Sequence, residues 1–191
     1  MQSKEQIAQF LHTNFPMNRD GVEELIDAFT LKRYPKHTPL LNESAHERKL
    51  RFLNTGVVRE FYRTEKKEIN INFYASPQFI TDFSSFIQGG RTNKNQEALS
   101  AVEILELGQE RFAQLHEKYS CGKSFVDITF RSILKNKERF EYNRMTKEPE
   151  ELYSELQIYR PNWLQEVPQY HIASYLGITP ETLSRIRKRI S

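Results

Sequence analysis

One uninterrupted helical pattern, over residues 121–147, divides this chain into two unlike parts. The stretch holds no proline and no glycine after Gly122, so it predicts an unbroken helix of ~40 Å at 1.5 Å per residue. Apolar side chains recur along it at the spacing of a coiled-coil seam, at Val126, Phe130, Ile133 and Phe140. The pattern predicts a dimerisation helix. The polar Lys137 and Arg144 weaken the same seam, and the alternative is a helix that lies on its own β-domain.

Short β-type runs dominate the chain before this helix. Residues 57–63 and 68–74 are rich in apolar and aromatic side chains and are separated by a polar turn. In the second run, Ile69, Ile71 and Phe73 are predicted to face one way and the asparagines between them the other. Because such runs recur at spacings of roughly ten residues, they indicate an antiparallel roll or barrel.

Charge is unevenly distributed after the long helix. The whole chain has 28 basic and 25 acidic residues, and its net charge of +3 is too small to indicate a partner. Residues 148–184 carry one arginine and six glutamates, whereas residues 185–191 carry four basic residues and no acid. A basic tip on an acidic module indicates contact with a polyanion. The alternative is the ordinary preference of helix C-termini for lysine and arginine.

Residues 169–189 show the spacing of a helix, a tight turn and a second helix. Gly177 stands where the turn needs a positive φ, Thr179 can accept a hydrogen bond as N-cap, and Pro180 suits the first helical position. Small and apolar residues recur where the two helices would cross, as in a helix-turn-helix: Ile172, Ala173, Gly177, Ile178, Leu183 and Ile186.

The remaining positions of the second helix and its cap are polar. We predict that they contact double-stranded DNA, through Thr179, Glu181, Thr182, Ser184, Arg185, Lys188 and Arg189. Arginine can pair with guanine O6 and N7, glutamate can accept from cytosine N4, and hydroxyl groups reach bases or phosphates. The alternative is a ligand-sensing or scaffold protein whose helix-turn-helix packs on a protein partner.

The order of roll, long helix and helix-turn-helix resembles the Crp–Fnr family of bacterial transcription regulators. The resemblance is most specific over residues 170–187 and moderate over residues 77–87. It implies an α+β chain with a cyclic-nucleotide-binding-like, double-stranded β-roll at 1–120, a dimerisation helix at 121–147 and a DNA-binding domain at 148–191. It also implies a cytoplasmic bacterial homodimer that binds palindromic operators, with RNA polymerase as a further partner.

The helix-turn-helix departs from the family pattern in two ways. Pro180 stands where the family has the first of two base-reading arginines, while Glu181 and Arg185 match the pattern. The wing that follows in the family is not expected, since the sequence ends at Ser191. We expect the basic residues 187–189 to supply part of its phosphate contacts.

The positions of the family's ligand cassette depart further. Thr81 and Asp82 stand at the Gly-Glu pair that holds a ribose, and Arg91 and Thr92 stand near the Arg-Ser pair that holds a phosphate. Aspartate is shorter than glutamate, and threonine cannot replace a glycine where backbone must approach a ligand. We therefore expect no cofactor. Cyclic-nucleotide binding is the less favoured alternative, and the small-molecule effector is not identified.

Other chemistries are not expected from this sequence. The single cysteine, Cys121, excludes an internal disulfide and a four-cysteine iron–sulfur site; an inert thiol is its favoured interpretation and a redox reporter the alternative. The five histidines lack metal-ligand spacing, and neither a phosphate-binding loop nor a catalytic serine elbow occurs, so we expect no metal site and no enzyme. Haem is the less favoured alternative, which the five histidines leave open. No apolar stretch approaches the ~20 residues that span a bilayer.

Overall fold

Two antiparallel sheets of four strands each form a β-roll in the computed structural model, which describes residues 2–14, 19–119 and 122–190. The strands are β1 (Thr30–Tyr34), β2 (Pro39–Leu41), β3 (Lys49–Thr55), β4 (Val58–Arg63), β5 (Glu68–Tyr74), β6 (Gln78–Phe79), β7 (Asn95–Ala98) and β8 (Val102–Gly108). The first sheet has the order β1-β8-β3-β6 and the second β2-β7-β4-β5. The predicted α+β class and antiparallel roll are confirmed.

Helices precede, interrupt and follow the roll. They are α1 (Gln2–Asn14), α2 (Arg19–Ala28), α3 (Phe83–Gln88), α4 (Gln109–Tyr119), α5 (Gly122–Thr146), α6 (Pro149–Tyr159), α7 (Pro161–Glu166), α8 (Gln169–Leu176) and α9 (Pro180–Ile190). None of the described helices is long and apolar enough to cross a membrane. Cys121, predicted to be an inert thiol, lies outside the described residues.

The first sheet buries its outer face under the N-terminal helices and α4. Leu50 and Phe52 of β3 and Leu105 of β8 are fully buried there, together with Ile7 and Leu11 of α1. Each such side chain contributes roughly 1.5–3 kcal/mol when it leaves water. The alternation along β3 and β8 directs the intervening residues into the interior of the roll.

The second sheet buries its outer face under the C-terminal helices. Val57, Phe73 and Leu99 form one core cluster with Trp163 of α7 and Ile172 of α8. The roll therefore lies between two helical layers, and the second of these layers contains the predicted helix-turn-helix.

The turn between β3 and β4 requires a glycine. Gly56 has a φ of +90°, and a Cβ atom there would lie 2.4 Å from the carbonyl oxygen of Ala101. Any side chain would both strain the backbone and collide with the neighbouring loop. This turn connects a strand of the first sheet to a strand of the second.

The long helix α5 falls within the predicted range 121–147. Val126 packs partly against the core beneath the first sheet, and the Phe140 ring lies 5.7 Å from that of Tyr175 on α8. Between them, Ile133 is 40% exposed and Leu134 is 58% exposed. Both ends of α5 thus contact the rest of the chain, whereas its middle presents apolar side chains to solvent.

Polar contacts brace the joint between α5 and α6. The Glu155 carboxylate on α6 pairs with the Lys147 ammonium and accepts a hydrogen bond of 3.2 Å from Asn143. Glu148 and Glu151 form a reciprocal capping box at the start of α6. These contacts define the angle at which the C-terminal helices leave the long helix.

Candidate nucleic-acid interface

The turn between α8 and α9 has the local geometry that its sequence predicts. Gly177 adopts the left-handed conformation with φ +74°, and the Ile178 N–H donates 3.0 Å to the Ala173 carbonyl. At the start of α9, the Thr179 hydroxyl accepts the Thr182 N–H at 3.2 Å, as an N-cap does. The turn therefore fixes α9 at one angle to α8.

The predicted packing face of the helix-turn-helix is buried. Leu183 and Ile186 of α9 are at most 2% exposed, and Ile172 and Ala173 of α8 are fully buried. Because Ala173 is small, the two helices can approach closely at their crossing. The orientation of α9 about its own axis is fixed by this contact.

The opposite face of α9 carries an exposed polar stripe. Glu181, Ser184, Arg185 and Lys188 are all exposed, and their spacing of three, one and three residues places them on one helical face. A hydrogen bond from its own backbone N–H, followed by one from Thr179, lowers the pKa of Glu181, so its carboxylate is ionised at neutral pH. The stripe offers an acceptor, a hydroxyl group and two cations.

Three further residues predicted to contact DNA lie beside this stripe and have partners in the protein. Thr182 is half-buried and bonds to Thr179. The Arg189 guanidinium forms an ion pair of 2.8 Å with Glu150 of α6. Arg189 therefore ties α9 to α6 in this structure.

Helix α8 docks directly on β5, an edge strand of the second sheet. The Asn70 N–H donates to the Ser174 hydroxyl at 3.1 Å, and that hydroxyl donates to the Glu68 carbonyl at 3.2 Å. The Asn70 amide lies 3.2 Å from His171 Nδ1. Burial, and then the positive charge of Arg59, lower the pKa of His171 to about 4, so the ring is neutral at neutral pH and can accept this bond.

Aromatic rings fill the rest of the contact between α8 and the roll. Phe73 lies edge-on to Trp163 at 5.1 Å and tilted to Tyr175 at 5.9 Å. The prediction that Phe73 and the asparagines face opposite ways is wrong for Asn70, because a β-bulge at Ile71 adds one unpaired residue to β5. The bulge brings Asn70 and Phe73 to the same helical layer, and alternation alone did not identify either as a contact.

The predicted ligand-pocket residues are only partly brought together. Thr92 donates 2.6 Å to the buried Asp82 carboxylate. The Thr81 hydroxyl is buried between the backbones of Lys49 and Arg51, and Arg91 is exposed. Asp82 and Thr92 thus bond to each other, while Thr81 and Arg91 face other surroundings.

A lysine that sequence reasoning missed completes this group inside the roll. Lys94 Nζ lies 3.3 Å from Asp82 and 3.6 Å from Glu60. Desolvation acts against its charge, but the two carboxylates outweigh it and raise the pKa of Lys94. Tyr74 and Gln96 both donate to the second oxygen of Glu60. Side chains of the roll itself therefore satisfy the carboxylates at the cassette position.

A second buried ion cluster lies on the strands of the first sheet. Arg51 Nη1 lies 2.5 Å from Glu47, and Arg51 Nε lies 3.4 Å from Glu106. Lys49 and Tyr34 also bond to Glu106, and their contacts hold the pKa of Glu106 below its usual range despite burial. Desolvation instead raises the pKa of Glu47. Among the described residues, no group of histidine, cysteine and acidic side chains is arranged to hold a metal ion.

No protein-family model matches the sequence, and no curated protein matches it. Solved structures do resemble it. FixK2 from Bradyrhizobium japonicum aligns with a TM-score of 0.74 and 15% identity over 85% of this chain and 84% of that one. The c-di-GMP responsive global regulator CLP of Xanthomonas campestris aligns with a TM-score of 0.68 and 15% identity over 91% of each chain. A CooA mutant from Carboxydothermus hydrogenoformans aligns with a TM-score of 0.67 and 17% identity over 87% of this chain and 78% of that one.

These structures are regulators of the Crp/Fnr family. Each likeness extends over at least 85% of this chain. At such low identities it concerns architecture alone. This chain has the Crp/Fnr fold, as its sequence of roll, long helix and helix-turn-helix predicts.

Proposed function

We propose that this chain is a sequence-specific DNA-binding regulator that acts as a cytoplasmic homodimer and not as an enzyme. The observation that carries the proposal is the exposed stripe of Glu181, Ser184, Arg185 and Lys188, on a helix whose opposite face is packed. A recognition helix must expose hydrogen-bonding side chains to base edges while its other face holds it rigid.

The long helix supports the dimeric part of the proposal. Its exposed middle, at Ile133 and Leu134, offers apolar surface to a second copy. Pairing of two α5 helices would place two copies of α9 about one turn of DNA apart, ~34 Å. Signals reaching the roll would change this spacing through the joint at residues 146–149, which Glu155 braces.

The roll is proposed to work without a bound cyclic nucleotide. Asp82 already binds Thr92 and Lys94, so a ribose hydroxyl would have to displace internal bonds. The effector that acts on the roll would then be a molecule other than a cyclic nucleotide. RNA polymerase is proposed as a further partner at the DNA.

Replacing Arg185 with alanine is expected to relax base discrimination by roughly 1–3 kcal/mol at one position of each half-site. The guanidinium can donate two hydrogen bonds to guanine, and alanine can donate none. Binding to duplexes selected from a random-sequence library by the unmodified protein, and to their single-base variants, measures the loss.

The matched control is Lys188→Ala, which removes a charge from the same stripe. It is expected to weaken binding to all duplexes alike and to flatten the salt dependence, as loss of a phosphate contact does. Unchanged preference in R185A would show that the assigned reading face is wrong. Absence of salt-dependent DNA affinity in the unmodified protein would favour the alternative, a helix-turn-helix that packs on a protein.

Replacing Ile133 with aspartate is expected to shift the protein from dimer to monomer. A carboxylate in the centre of the helix pair would lose its hydration without gaining a partner. Sedimentation equilibrium across a range of concentrations measures the shift. Ser132→Asp adds the same charge to the adjacent, exposed position outside the seam and is expected to leave the dimer intact. Equal effects of the two substitutions would contradict a seam at Ile133.

A further inference from the structure

We infer that the hairpin between β4 and β5, residues 63–68 of the roll, is a second DNA-contacting element that binds the phosphate backbone beside α9. The inference rests on the proposed function, because it gives this hairpin the same partner as α9. It assigns to the roll a direct part in DNA binding.

The contacts of Ser174 place the hairpin close to the end of α8. The Ser174 hydroxyl accepts from the Asn70 N–H and donates to the carbonyl of Glu68, the last residue of the hairpin. Gly177, where the turn into α9 begins, follows Ser174 by three residues, and the hairpin turn at residues 64–67 directly precedes Glu68. The hairpin turn therefore lies near the end of α8 that leads into α9.

The hairpin turn is held by its backbone and leaves its lysines free. The Thr64 N–H donates to the Lys67 carbonyl at 2.9 Å, and the Thr64 hydroxyl accepts the N–H groups of Lys66 and Lys67 at 3.3 and 3.1 Å. Both lysine side chains are exposed. An ordered turn that carries two exposed ammonium groups suits phosphate oxygens, which lysine binds as a point charge.

The remaining charges of the hairpin mostly cancel. Arg63 pairs with Glu68 at 3.0 Å, and Glu68 pairs also with Arg59 at 2.7 Å. Glu65 is the exposed carboxylate of the turn, and it opposes the two lysines. A polyanion beside α9 would therefore meet Lys66 and Lys67 as the dominant charges of this hairpin.

The test compares the salt dependence of DNA binding in the full-length protein and its Lys66→Gln/Lys67→Gln variant. The probe is a duplex selected by the unmodified protein from a random-sequence library. The slope of log affinity against log salt is expected to flatten by about one unit for each lysine removed. Discrimination between the selected duplex and its single-base variants is expected to stay unchanged. Glu65→Gln, which removes the opposing charge, is expected to tighten binding.

The control variant, Lys32→Gln/Arg48→Gln, removes two exposed positive charges from the side of the first sheet. It is expected to keep the slope of the unmodified protein. Equal slopes in the hairpin variant and the unmodified protein, or equal flattening in the control, would overturn the inference while leaving the proposed function standing. If the unmodified protein selected no duplex at all, the proposed function would fall and this inference with it.

Discussion

Replacing Arg51 with methionine is expected to lower the free energy of unfolding by about 3–5 kcal/mol. Its guanidinium lies between the carboxylates of Glu47 and Glu106, and all three side chains are at most 7% exposed. Glu106 retains Lys49 and Tyr34 as partners, but Glu47 would lose its cation and remain buried. Urea denaturation, followed by far-UV circular dichroism, measures the loss.

The pH dependence distinguishes an unpaired charge from simple loss of packing. Desolvation already raises the pKa of Glu47, and removing Arg51 raises it further. The folded variant would then bind a proton more readily than the unfolded chain, so its stability rises as the pH falls. R51M is therefore expected to lose more stability at about pH 8 than at about pH 5. Adding Glu47→Gln should restore part of the stability, and failure of both expectations would assign the cost to packing.

Replacing Phe73 with alanine is expected to cost about 3–5 kcal/mol and to loosen the C-terminal helices from the roll. The ring is 1% exposed and contacts Trp163 and Tyr175 across the boundary between sheet and helices. Trp163 is the single tryptophan of the chain, so its fluorescence reports on this boundary alone. In F73A, the emission of Trp163 is expected to shift to the red. The urea transition followed by Trp163 fluorescence is expected to occur at lower urea than the transition of the strands followed by circular dichroism.

Phe73→Leu provides the control, because it keeps a bulky apolar side chain at this position. Its cost is expected to stay near 1.5 kcal/mol or below, with coincident transitions. Coincident transitions in F73A as well would mean that α8 is held to β5 chiefly by the polar contacts of Asn70 and Ser174.

Local patterns were enough to predict the elements of this fold. The helix-turn-helix depends on Gly177, Thr179 and a few apolar spacings within eighteen residues, and each of these acts on neighbouring backbone. The long helix and the strand-rich roll follow from periodicity in the same way. The exposed stripe on α9 could be named because the buried positions of one helix determine the opposite face.

Contacts between distant segments could not be predicted in this way. Asn70 and Ser174 are 104 residues apart, and their meeting depends on a bulge that hydrophobic alternation does not reveal. Inside the roll, Asp82 selects Lys94, although Arg91 is the nearer match to the family pattern. Which of the two side chains reaches Asp82 depends on which residues near β7 face the interior. The irregular loop before β7 has no repeating pattern from which this could be predicted. The sequence likewise assigns Arg189 to DNA, because no local pattern reveals its ion pair with Glu150 on α6.

The docking of α8 on β5 also bears on the solubility of the chain. An uncovered edge strand presents a row of hydrogen-bonding groups that can template pairing with another molecule. Here the Ser174 hydroxyl accepts from the N–H of Asn70 and donates to the carbonyl of Glu68. Helix α8 therefore covers this edge and prevents another strand from pairing with it. Variants that release the C-terminal helices should therefore aggregate through β5, besides losing the fixed orientation of these helices on the roll. Adding Ile71→Lys to such a variant places a charge on the exposed edge. It should prevent the aggregation without restoring the orientation of the helices.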